Sequence, residues 1–182
     1  MTDAPFVHLI AGVSSAGKST LIARMRKRQR PGLMGDVCFA YEIQPGWQRR
    51  MRRHTFIHYN LLRPADLGTG DAPDPLQSDP VFRRLTRCQI PMRITILVAD
   101  RPTLERRIAR RQAIEPALRG DTTEYPARKI LTQLQSVSQA ALVAELSTAF
   151  SHTDAPIDYV QSTDEGFLKT DLRAAQQLEW WG

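Results

Sequence analysis

Apolar positions along the chain alternate between short continuous runs and stretches of helical spacing. Phe6 to Ala11, FVHLIA, has the length and character of a buried strand. Leu21, Ile22 and Met25 then recur at helical spacing in STLIARMRKR. A Pro-Gly turn precedes a candidate strand near Val37 to Tyr41, and HTFIHYNLL, His54 to Leu62, is a second β-rich run. Residues 63–80, dense in Pro, Gly and Asp, predict a long surface loop. RITILVAD, Arg93 to Asp100, predicts a further strand, and Pro102 opens the helix TLERRIARRQ.

Beyond it, AIEPALRGDTTEYP predicts another loop. A long helix is expected from Arg128 to Phe150, with Ile130, Leu134, Val137 and Ala141 on one stripe. PIDYVQS is expected as the last strand and DEGFLKTDLRAAQQLEWW as the last helix. Strands alternating with helices imply a mostly parallel sheet covered on both faces. No repeat or long linker divides the chain, so a single domain over residues 1–182 is expected. Ligands of such sheets lie beyond the carboxyl ends of the strands, which makes the residues there the candidates for chemistry.

Between the first strand and the first helix stands GVSSAGKST, Gly12 to Thr20. It fits the pattern G-x-x-x-x-G-K-[ST], in which small residues let backbone N–H groups converge on phosphate oxygens at a helix N-terminus. Gly12, Val13, Ser14, Ser15, Ala16, Gly17, Lys18, Ser19 and Thr20 are therefore expected to hold a nucleoside triphosphate. Lys18 supplies a charge to the β- and γ-phosphates, and the Ser19 hydroxyl is the expected Mg2+ ligand.

Charge and composition narrow the surroundings. The chain of 182 residues carries a net charge of +6, with arginines clustered in RMRKRQR and RRMRRH. Such clusters suit anionic small molecules, nucleic acid or plain solvated helix faces. No apolar run approaches the roughly 20 residues a membrane span needs, and MTDAPF has no secretory character. Cys38 and Cys88 form no metal spacing, which fits reduced thiols in a cytoplasmic protein.

In its phosphate loop and order of elements the chain resembles the small P-loop kinases, the group of shikimate, gluconate and nucleoside monophosphate kinases. The resemblance implies a three-layer α/β/α P-loop fold with a five-stranded, mostly parallel sheet and a lid at about residues 112–127. It implies ATP and Mg2+ as cofactors and a small, anionic metabolite as phosphate acceptor. ILVADRPTLERRIARRQ looks like the fourth strand and its helix, and VQSTDEGF like the loop beside the base. By that similarity, Arg110 or Arg111 stacks on the base and Arg119 closes over the transferred phosphate. Asp36 is the candidate base, with Glu42 as its competitor. His58, Asn60 and Arg63, at or beyond the third strand, are candidates for acceptor binding. His58 fits a core histidine as well. Asn60 stands where many such enzymes carry an aspartate for the metal. A regulatory nucleotide-hydrolysing module acting through a partner, or a kinase of nucleic-acid ends, fits the same loop.

Overall fold

The computed structural model describes residues 4–29, 35–51, 53–62, 76–119 and 127–178. Six strands form one sheet: β1 (Val7–Gly12), β2 (Asp36–Phe39), β3 (Thr55–Asn60), β4 (Met92–Val98), β5 (Ile157–Ser162) and β6 (Phe167–Thr170). Their order is β2-β3-β1-β4-β5-β6. The first five run parallel, and β6 pairs antiparallel with β5. Among the described residues six α-helices accompany them: α1 (Lys18–Lys27), α2 (Pro80–Thr86), α3 (Arg101–Arg119), α4 (Ala127–Gln135), α5 (Gln139–Phe150) and α6 (Leu172–Gln177). No helix among the described residues is long and apolar enough to cross a membrane.

The apolar run FVHLIA became the central strand because both its faces are covered. Every residue of β1 is buried, and β4 is buried at all positions but Arg93. That continuous burial is what parallel strands between helical layers require. In register, Gly12 pairs with Asn60 of β3 and with Leu97 of β4, so these strands end at one level. At the other end, Asp36, Thr55 and Val7 lie side by side.

The structure departs from the sequence expectations at four places. The sheet has six strands rather than five, because Phe167–Thr170 folds back on β5 instead of joining the last helix. Thr163 and Gly166 close that hairpin through paired hydrogen bonds. Asp171 then caps the short α6 by accepting from the Ala174 amide at 2.8 Å. The helix expected over 128–150 is two helices. Ser138 accepts from the Ala141 amide and starts α5, so a local side-chain bond competes with helix continuation.

Helix α3 continues to Arg119, through residues expected as loop and as the start of the lid. The rest of that lid, residues 120–126, lies outside the described residues. Finally, the segment expected as one loop ends in a 3-10 turn, Leu76–Ser78, and the start of α2. Asp79 caps α2, Pro80 opens it, and Phe82 and Leu85 are buried. Phe82 meets Phe150 edge-to-face, with centroids 5.7 Å apart, which fixes α2 against α5.

Candidate functional site

The glycine-rich loop lies at the carboxyl end of β1 and runs directly into α1. Gly17 caps the helix at φ 97°, and Ser15 sits at φ 64°, both in the left-handed region. Side chains are costly there, and glycine and short polar residues are the ones that tolerate it. Space is restricted as well. A Cβ on Gly12 would stand 2.8 Å from the Leu97 carbonyl, and one on Gly17 would stand 3.1 Å from the Ser162 hydroxyl. Gly12, Val13 and Ala16 are buried and form the base of the loop, while Ser19 and Thr20 are exposed at the start of α1.

Lys18 is only 3% exposed. Its ammonium donates to the carbonyls of Gly12 at 2.9 Å and Val13 at 2.6 Å. Burial, with the nearby charge of Arg111 as a second cause, pulls its pKa down to about 7. A buried cation that among the described residues is held only by neutral carbonyls gains strongly from an anion placed beside it.

That loop forms one wall of a cleft of about 950 Å3. Ser14, Ser15, Gly17, Lys18, Ser19 and Thr20 contribute to it. The opposite wall comes from the ends of β2 and β3: Phe39, Ala40 and Tyr41, then His58, Tyr59 and Asn60. The rings of Phe39 and Tyr41 stack at 5.7 Å and are exposed, and His58 lies 5.3 Å from Phe39. His58 is held neutral: burial first, and the charge of Lys18 second, bring its pKa to about 4. The Asn60 side-chain oxygen is buried, with no hydrogen-bond partner among the described residues.

Among the described residues two carboxylates line this cleft: Asp164, which pairs with Arg106, and Asp79, which was not singled out in the sequence. Asp79 is buried, accepts from the Tyr59 hydroxyl at 2.7 Å and caps α2 through the Val81 amide at 2.8 Å. Asp36 lies elsewhere. It begins β2 level with Val7, five residues back along β1 from Gly12, or about 16 Å at strand rise. Both its oxygens accept from the exposed Arg53 guanidinium. The candidate base of the sequence analysis is thus at the wrong end of the sheet, because Asp36 opens its strand rather than closing it. Glu42 accepts from the Phe39 amide and is not among the residues lining the cleft.

Arginines of α3 close the third side. Arg107, Arg110 and Arg111 line the cleft. The charge of Arg111 acts on both Lys18 and His58, which sets it towards the lysine end of the cleft. Glu105 pairs with Arg101, and Arg106 pairs with Asp164. Arg107 reaches the loop itself, donating to the Ala16 carbonyl at 3.2 Å, the Ser162 hydroxyl at 2.8 Å and the Thr163 carbonyl at 2.6 Å. It joins the glycine-rich loop to the β5–β6 turn. Arg24 of α1 lies 5.1 Å over the Phe167 ring on the same side.

Two expected residues have no described side chain. Arg119 ends α3 with its side chain outside the described part of the structure, and Arg63 lies outside the described residues altogether. No group of three or more His, Cys, Asp or Glu side chains suited to a metal occurs among the described residues.

No family model matches the sequence, and no curated protein is similar to it. Among solved structures, one of a "putative kinase" from Chloroflexus aurantiacus aligns over 96% of this chain and 96% of its own, at 14% identity and a TM-score of 0.47. That likeness is too slight to assign a fold family or an activity.

Proposed function

We propose that the protein is an ATP-dependent phosphotransferase that moves the γ-phosphate to a small, anionic acceptor. The observation that carries this reading is Lys18, a buried ammonium in a glycine-constrained loop at a helix N-terminus, partnered among the described residues only by carbonyls. Phosphates in the loop would meet backbone N–H groups and the Lys18 charge together. Arg111 would add a second charge, and phosphoryl transfer depends chiefly on such positioning and neutralisation.

The residues present also suit Mg2+ bound with the nucleotide. Ser19 offers an exposed hydroxyl, and Asn60, which lines the same cleft, has a side-chain oxygen with no hydrogen-bond partner among the described residues. The ion would supply further neutralisation of phosphate charge. On the acceptor side, the exposed Phe39–Tyr41 pair offers an apolar platform, and neutral His58 offers a hydrogen bond. In the reaction the acceptor oxygen bonds to the γ-phosphorus, the bond from that phosphorus to the β-phosphate oxygen breaks, and ADP leaves. The acceptor proton passes to Asp79, since Asp164, the other carboxylate lining the cleft, is held in an ion pair with Arg106.

The test is ADP release from Mg-ATP across a panel of nucleoside monophosphates, sugars, sugar acids and aminoglycosides, with Lys18→Ala as the blank. Release stimulated by one acceptor class and absent in the variant is expected. Hydrolysis that no acceptor changes, at the same rate in both proteins, would contradict the reading.

A further inference from the structure

A second cavity, of about 780 Å3, lies between α2 and the 3-10 turn Trp47–Arg50. Its size is that of a small-molecule site. Four arginines line it: Arg83, Arg84 and Arg87 from α2 and its C-cap, and Arg49 from the turn. No Asp or Glu lines it among the described residues. We propose that this cavity is a second anion site, separate from the glycine-rich loop, which takes a compact ligand bearing two or more phosphate groups.

Three features support it. The walls are tied together before any ligand arrives. Arg84 donates to the Ile43 carbonyl at 2.9 Å, and the Gln89 amide donates to the Gln48 side chain at 3.1 Å. The charges converge from two elements. A helix C-terminus by itself favours arginine, which accounts for residues on α2. Arg49 stands in the last turn of a separate 3-10 segment, so two helix ends bring their arginines to one cavity. Arg83 and Arg87, four apart, are like charges on one face, a pairing that costs stability until an anion neutralises it. Guanidinium groups are also the side chains best shaped to grip phosphate oxygens two at a time.

The recess fits a compact ligand better than a nucleic-acid strand. Among the described residues its one aromatic side chain is Trp47, which is only 4% exposed, so none of them offers a ring for base stacking. The site adjoins the larger cleft without merging with it. Asp79 and Val81 face that cleft, while Pro80 between them faces the arginine cavity.

The inference does not depend on the phosphotransferase reading, and its test is set in a Lys18→Ala background. Calorimetric titration with pyrophosphate is expected to show one binding site in that protein. Adding Arg83→Gln and Arg87→Gln is expected to weaken it at least tenfold. Both side chains are exposed, so the fold should survive. Arg49→Gln alone, expected to weaken binding several-fold, carries the test if the double substitution does not fold. Absence of binding in the Lys18→Ala protein, or binding indifferent to the arginine substitutions, would overturn the proposal. So would a short oligonucleotide that binds more tightly than pyrophosphate, with steep salt dependence, and is lost with the same arginines.

Discussion

The ammonium of Lys18 lies 2.6 Å from the carbonyl oxygen of Val13, folded back onto the loop that carries it. In this state burial holds the pKa of Lys18 near 7, far below the usual lysine value. The folded protein therefore binds fewer protons than the unfolded chain between about pH 7 and about pH 10.4. The Lys18 contribution to stability rises with pH through that window and is lost as pH falls towards 7. Phosphates beside Lys18 would raise its pKa again. Calorimetry at pH 8.5 in two buffers of different ionisation enthalpy should show ATP binding with uptake of up to about one proton. Lys18→Met should abolish the uptake.

Asp79 and Asp36 make a contrasting pair. Asp79→Asn keeps a competent helix cap, since asparagine caps about as well as aspartate. It should lower kcat about 100-fold while leaving the KM for ATP within about threefold. Asp36→Asn breaks an exposed ion pair with Arg53 at the far end of the sheet. Steady-state kinetics should be unchanged by it.

Arg107 holds the glycine-rich loop to the β5–β6 turn through three acceptors within 3.2 Å. Arg107→Ala should weaken ATP binding about tenfold, or about 1.4 kcal/mol, by freeing the loop. Arg107→Lys should recover little, because a point charge cannot span acceptors on two segments. Equilibrium binding of both variants measures the difference.

Gly12 leaves no room for a side chain, since an added Cβ would stand 2.8 Å from the Leu97 backbone oxygen. Both atoms belong to central buried strands that cannot move apart cheaply. Gly12→Ala should cost roughly 1–3 kcal/mol of stability, read as a lower urea midpoint at an unchanged slope.

What the sequence made legible was local. The loop from Gly12 to Thr20 could be read because its chemistry depends on fixed spacing within a single strand–turn–helix passage. β1, β3 and β4 could be read because burial on two faces demands continuous apolar runs. Asp79 could not, because its place in the cleft depends on the Tyr59 hydroxyl twenty positions earlier. Its one local signal was Asp-Pro ahead of Phe82 and Leu85 at helical spacing. Arg107 was hidden in an arginine-rich helix face, and only the fold brings it to Ala16, 91 residues away. Asp36 fell short because the resemblance alone does not say which end of β2 it occupies, and the register sets it level with Thr55 at the start of the strand. The break at Ser138 and the hairpin into β6 turned on single caps and turns, signals too weak to stand out against a longer periodic pattern.

The central claim is that the Gly12–Thr20 loop holds the phosphates of a nucleoside triphosphate. The most direct test is calorimetric titration of ATP and AMP into the wild-type protein and Lys18→Ala. Tighter binding of ATP than of AMP by at least about tenfold, with that preference lost in the variant, is the expected result. ATP binding equal to that of AMP, or unaffected by Lys18→Ala, would contradict the claim.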